Sequence, residues 1–233
     1  MLTEELIERV QSLYSKGVPS DESRLSDRHV YSKLVSVRLQ LISQQVRKRQ
    51  KISDWNYIVL PCVELIKVPS HECSCLGDIG CDIYRTKYPL PRILTDLNRH
   101  LIDFVMSVDS SMKIDEITRQ GAMYLKGNKY TGTRPKYLFE NGHLYFPVQK
   151  SPGIVKIKLI PEDPILAQQY PSYCGECTDC EDCTPYAQYE FPIDGDLIEP
   201  LITMTVQETI EWFSKSTEDR TNNSADTNPE QGK

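Results

Sequence analysis

The segment KYLFENGHLYFPV, residues 136–148, constrains the fold more than any other stretch of the chain. Asn141-Gly142 suits a two-residue type I′ turn, which needs positive φ at both positions. Aromatic and apolar residues flank the turn on both sides, as paired strands require. SPG at residues 151–153 then turns the chain into IVKIKLI, read as the third strand of a meander. Upstream, YIVLPCVELIKVP is an extended apolar run in which Pro61 argues for a sheet edge or a bulge. The middle of the chain, residues 53–192, therefore reads as β-rich.

Helical patterns bracket this region. At the N-terminus, Thr3 is expected to cap a helix whose first turn carries Glu4 and Glu5, with Leu2, Leu6, Val10 and Leu13 as its stripe. Gly17 and Pro19 end it. Ser26 caps a longer helix to about Gln50 that carries two apolar seams. Val30, Leu34, Val37 and Leu41 make one; Val35, Leu39, Ile42 and Val46 make the other. The seams lie about 140° apart, so this helix is either internal to a bundle or wedged between its own domain and a neighbouring subunit. Its basic end, RKRQK, suits a solvated helix C-terminus better than a DNA contact. A last helix is expected from Glu199-Pro200, striped by Ile202, Val206, Ile210 and Phe213 with Trp212 beside them.

The expected fold is α+β. An N-terminal helical hairpin (1–52) and a C-terminal helix (193–215) form a bundle. A β-rich domain with the three-stranded meander (53–192) is inserted, and an extended arm (216–233) follows. The arm, STEDRTNNSADTNPEQGK, has no Val, Ile, Leu, Met or aromatic residue and contains Pro229 and Gly232. Alone it cannot bury enough apolar surface to offset the entropy of ordering it. It is expected to dock on a neighbouring protein, most simply the portal or an adjacent ring, through many weak polar contacts made at once.

Composition narrows the function. The 233 residues are 39% hydrophobic and 26% charged, enough for one large domain or two small ones. A net charge of -6 gives no basic footprint for nucleic acid. No apolar run approaches the roughly 20 residues that span a bilayer. The acidic, amphipathic N-terminus is unlike a secretory signal, so cytosolic synthesis is expected.

Eight cysteines fall in two groups. Cys174, Cys177, Cys180 and Cys183 recur every third residue; Cys62, Cys73, Cys75 and Cys81 accompany His71. Such thiolates can hold zinc or an iron–sulfur cluster, stay free, or form disulfides in a particle that leaves the cell. The last gap departs from the ferredoxin run, and a single zinc usually draws on two separated pairs. Enzyme motifs are missing. No histidine has Glu two residues on, as zinc deaminases need. There is no nucleophile elbow, phosphate-binding P-loop or dinucleotide fingerprint. No catalytic, cofactor-binding or metal-binding residue is assigned, and no cofactor is expected.

SDESRLSDRHVYSKL, WNYIVLPCVELIKVPSHECSCL, RPKYLFENGHLYFP and EDRTNNSADTNP together resemble a structural protein of crAss-like tailed bacteriophages of gut Bacteroidales. The similarity runs nearly the full chain. It implies a non-enzymatic ring below the portal, joining capsid to tail and leaving a conduit for DNA ejection. It further implies self-association in twelve copies, with the portal and adjacent ring or tail proteins as partners, no membrane contact and a place in the virion neck. DNA would pass the lumen without specific binding, which an acidic subunit suits because it offers few phosphate contacts. An outer tail or decoration component, or a cysteine-bound metal module, are the alternatives.

Overall fold

The computed structural model describes residues 1–17, 25–69, 82–96, 99–123, 135–147, 152–174 and 188–221. They fall into two compact units. One holds residues 1–52 with 185–233, the other residues 53–184.

The second unit is built on β1 (Ile58–Pro69), β2 (Asp82–Thr86), β3 (Thr95–Asp96), β4 (Arg99–His100), β5 (Ile102–Ser107), β6 (Lys113–Glu116), β7 (Lys136–Glu140), β8 (His143–Phe146) and β9 (Ile154–Leu159). Seven of these close into a barrel in the order β1-β2-β8-β7-β6-β5-β9, and β3 and β4 pair separately. This overturns the expected α+β fold of a helical bundle with an inserted three-stranded meander. Strands outnumber helices among the described residues, and the sheet closes on itself.

The hairpin itself forms. Asn141 and Gly142 have φ of 51° and 78°, and Phe139 pairs with Leu144. The strand after it does not continue a meander. β9 lies between β1 and β5, while β8 pairs with β2. The reason is the face β9 must bury. Val155, Ile157 and Leu159 are all fully buried, so β9 needs a partner on each side and cover within the barrel. β1 turns the corner: its first half pairs with β9 and its second with β2, with a register shift between Leu60 and Val63. Pro61 sits in that shift, where its missing N–H breaks no ladder bond. β6 and β7 are parallel, the one parallel pair among the described strands, and the helix α3 (Arg119–Met123) lies on their crossover.

Leu60, Val63, Leu65, Val105, Ile114, Leu144, Phe146 and the three β9 residues fill the barrel. It is a packed core rather than a channel. Outside it, Lys158 lies 2.7 Å from Asp54 and 3.1 Å from Asp103, with its ammonium 4.7 Å from the Tyr57 ring centre. The Asp54 hydrogen bond, ahead of the other contacts, holds its pKa above the usual lysine value. This lysine ties the short 3₁₀ turn at Asp54–Asn56 to β5 and β9.

His143 gives the barrel a pH dependence. Its Nδ1 lies 2.9 Å from the carbonyl of Thr86, which can only accept, so Nδ1 carries the proton. Burial, helped by the charge of Arg85, pushes its pKa below 6.5. The unfolded chain then binds more protons than the folded one in the window below about 6.5, so this stability is present above that pH and is lost as pH falls through the folded value. We expect His143→Gln to lose less urea stability than the wild type between pH 7.5 and 5.5. Equal losses in the two proteins would assign the effect to other groups.

The described residues of the first unit form three long helices: α1 (Thr3–Tyr14), α2 (Asp27–Arg47) and α5 (Gly195–Thr221). A short α4 (Pro164–Gln168) belongs to the barrel unit. Leu6, Ile7 and Val10 of α1 share one core with Val30, Leu34, Val37 and Leu41 of α2 and Leu201 and Ile202 of α5. Thr3 does not cap α1. It is the first helical residue, and its hydroxyl donates to the Tyr189 carbonyl 2.8 Å away. Ser26 does cap α2, accepting from the backbone N–H of His29.

α5 begins at Gly195, ahead of the expected start, and Pro200 falls in its second turn. It continues to Thr221, so residues 216–221 of the expected arm are helical here. Residues 222–233 lie outside the described residues.

Candidate functional site

No helix among the described residues is long and apolar enough to cross a membrane. The described residues hold no group of three His, Cys, Asp or Glu side chains placed to bind a metal. Of the two cysteine groups, only Cys62 and Cys174 are described. Cys73, Cys75, Cys81, Cys177, Cys180, Cys183 and His71 lie outside the described residues. Cys62 on β1 and Cys174 are joined as a disulfide, their Cα atoms 5.6 Å apart. In this form neither sulfur can serve as a metal ligand. Spacing within each group could not reveal the pairing, because it joins residues 112 positions apart.

The segment that delivers Cys174 is strapped to the barrel at two further points. The Tyr173 N–H donates to the Cys62 carbonyl at 2.9 Å. The Tyr170 hydroxyl donates to the Tyr88 carbonyl at 3.0 Å, and burial, with the neighbouring Tyr88 adding to it, pushes its pKa up to about 12. A cleft of about 150 Å³ beside the strap is lined by Glu64, Lys87, Tyr88, Tyr170, Pro171, Ser172 and Tyr173.

The helical unit offers the larger surface. α5 turns Leu201, Ile202, Thr205 and Thr209 inward, a face rotated by roughly 80° from the expected stripe of Ile202, Val206, Ile210 and Phe213. Both buried threonines satisfy their hydroxyls within the helix. Thr205 donates to the Leu201 carbonyl and Thr209 to that of Thr205, each at 2.7 Å. With those bonds made, burying the hydroxyl costs little. Ile210 is left half exposed.

At the far end of this unit the rings of Tyr14 and Phe213 lie 6.0 Å apart. His29 sits 6.2 Å from Trp212, edge to face. The Lys33 ammonium lies 5.2 Å from the Trp212 ring centre and 3.5 Å from Glu208. An open groove of about 510 Å³ is lined there by Lys33, Glu208, Glu211 and Trp212.

The buried charge of Arg38 serves the helical core from within. Its side chain is fully buried, and Nε donates to the Pro192 carbonyl at 2.8 Å. Sequence reasoning missed it, since Arg38 lies between the two seams and reads as a solvated position. Arg38→Met keeps the volume but removes the donor, and is expected to cost about 1–3 kcal/mol in urea unfolding by leaving that carbonyl unpaired. A loss below about 0.5 kcal/mol would show that the carbonyl finds another donor.

The barrel is filled with side chains, and the helical core ends in rings that stay exposed. A family model described as Phage tail ring protein 2 matches residues 5–229, and the chain belongs to this family of crAss-like phage tail ring proteins. Its place is therefore the virion, as a structural ring component of the tail that associates with copies of itself and with tail proteins. No curated protein matches the chain.

Proposed function

We propose that the protein forms a homo-oligomeric ring in the virion neck, joining the portal vertex to the tail and leaving a conduit through which DNA is ejected. The observation that carries this reading is the family match across residues 5–229, which makes a ring the working form of the chain. The ring contains twelve copies to match a portal, contacts the portal or an adjacent ring, and has no catalytic role. The chain is synthesised in the host cytoplasm before assembly. Net charge supports the conduit: a subunit at -6 offers DNA little non-specific grip.

Electron cryomicroscopy of particles carrying a tagged copy tests the position. Tag density in a ring at the portal–tail junction is expected; tag density only on the outer tail surface would make the protein a decoration component.

The second seam of α2 bears on assembly. Val30, Leu34, Val37 and Leu41 are buried in the helical core; of the second seam Ile42 is fully buried as well, whereas Val35, Leu39 and Val46 are only half buried. Burying an unpaired carboxylate at a repeated interface costs several kcal/mol per contact. Leu39→Asp is therefore expected to give a folded monomer that fails to enter rings, read by circular dichroism and by particle composition. Global unfolding would mean that Leu39 is only core.

A further inference from the structure

The inward face of α5 does not stop where its core stops. At 100° per residue, the face that buries Leu201, Thr205 and Thr209 continues through Trp212, and Phe213 lies at its edge, beyond Ile202. There the cover gives out: Trp212 is 61% exposed and Phe213 43%, against 0% for both threonines. The helix thus places two threonines in its own core and its two largest rings beyond it. The rings are held in place by Tyr14 from the last turn of α1 and His29 from the first turn of α2. Lys33 is held over Trp212 by Glu208. An aromatic anchor already fixed in position loses little side-chain entropy when a partner covers it.

We propose that this end of the helical unit is a docking site for the neighbouring copy of the same chain in the ring. Ring membership supplies the occupant. Every copy must present one surface to the copy before it and a different one to the copy after it. The two rings expose on the order of 200 Å² between them, enough for the apolar centre of a contact that needs about 800 Å² on each side. Lys33, Glu208 and Glu211 supply the polar rim, with both signs of charge. Tryptophan at the centre and charged groups around it are the arrangement in which a few residues carry most of the binding. The inference rests on the family's ring assembly and not on the neck position.

The test uses the full chain in assembled particles, with the photoreactive residue p-benzoylphenylalanine in place of Glu211, which shares the groove and leaves Trp212 intact. Irradiation is expected to give an adduct with the mass of two copies, joining position 211 to a different surface of the second copy. An adduct to another tail protein, an adduct within one chain only, or no adduct would each overturn the proposal. Trp212→Glu is read alongside it. At least a tenfold fall in particle occupancy is expected with an unchanged melting curve; wild-type occupancy overturns the site. If Trp212→Glu unfolds the chain, the adduct decides. Wild-type chain missing from purified particles would instead defeat the ring reading itself.

Discussion

Phe146→Ala is expected to cost the barrel about 3–5 kcal/mol, against a total stability of roughly 5–15 kcal/mol for a domain of this kind. Phe146 is fully buried on β8, and its ring lies 6.4 Å from that of Tyr137. Its backbone pairs with Tyr84 of β2, so the side chain stands at one of the long-range seams that close the barrel. Truncation removes the ring and leaves a cavity that surrounding strands cannot collapse to fill, because each is fixed by ladder bonds on both sides. Hydrogen exchange read by mass spectrometry separates the two units. Amides of β5, β8 and β9 should lose protection while those of α1 and α2 keep theirs. Phe146→Leu is the control and should recover most of the loss. Protection of β9 within 1 kcal/mol of wild type in the alanine variant would mean that the barrel does not depend on this side chain.

The second large effect is redox. Replacing Cys62 and Cys174 together by serine is expected to lower the barrel's stability by about 5 kcal/mol. In the chain-entropy account, closing a loop near 100 residues removes that much freedom from the unfolded chain. The Cys62–Cys174 bridge closes a loop of that class, with a separation of 112 residues. The measurement is guanidinium unfolding of wild type and double variant, each with and without reductant. Wild type should fall toward the variant when reduced, and the variant should respond less. A variant as stable as the oxidised wild type would show that the strand ladders alone hold the strap at residues 170–174. In a reducing cytosol the bridge stays open. A phage protein would then gain this stability only after the particle leaves the cell.

What the sequence made legible was local. Asn141-Gly142 announced its hairpin because few residue pairs accept positive φ twice in succession. Ser26 announced a helix start because its side chain can reach a backbone donor three residues on. Pro61 marked the register shift of β1. The rest depended on partners far along the chain. IVKIKLI gives no sign that its neighbours are β1 and β5 rather than the hairpin just before it, since alternating side chains specify a buried face and not who covers it. α5 was read with its largest apolar residues inward. Thr205 and Thr209 took that place because a threonine whose hydroxyl is bonded to the preceding turn packs much like valine. The candidate docking surface was half visible. Trp212 and Phe213 stood out by type, but their exposure depends on where α1 ends and α2 begins, which no stretch of α5 encodes. The cysteine groups were plain to see, yet only folding sets Cys62 beside Cys174.

The order of strands in the barrel has a consequence for how the protein is made. β9 must slot between β1 and β5, which leave the ribosome about a hundred and about fifty residues ahead of it, so the sheet stays open until residue 159 has emerged. α1 and α2 wait longer still, with their apolar faces uncovered until α5 arrives. Folding of this kind is slow, because distant segments must meet before any contact rewards them. It exposes the nascent chain to aggregation and to chaperones for most of its synthesis. The same delay acts as a length check. A chain that stops short of α5 has neither a closed helical core nor the rings of Trp212 and Phe213. Prematurely terminated products are therefore expected to lack both a finished helical core and the proposed docking rings.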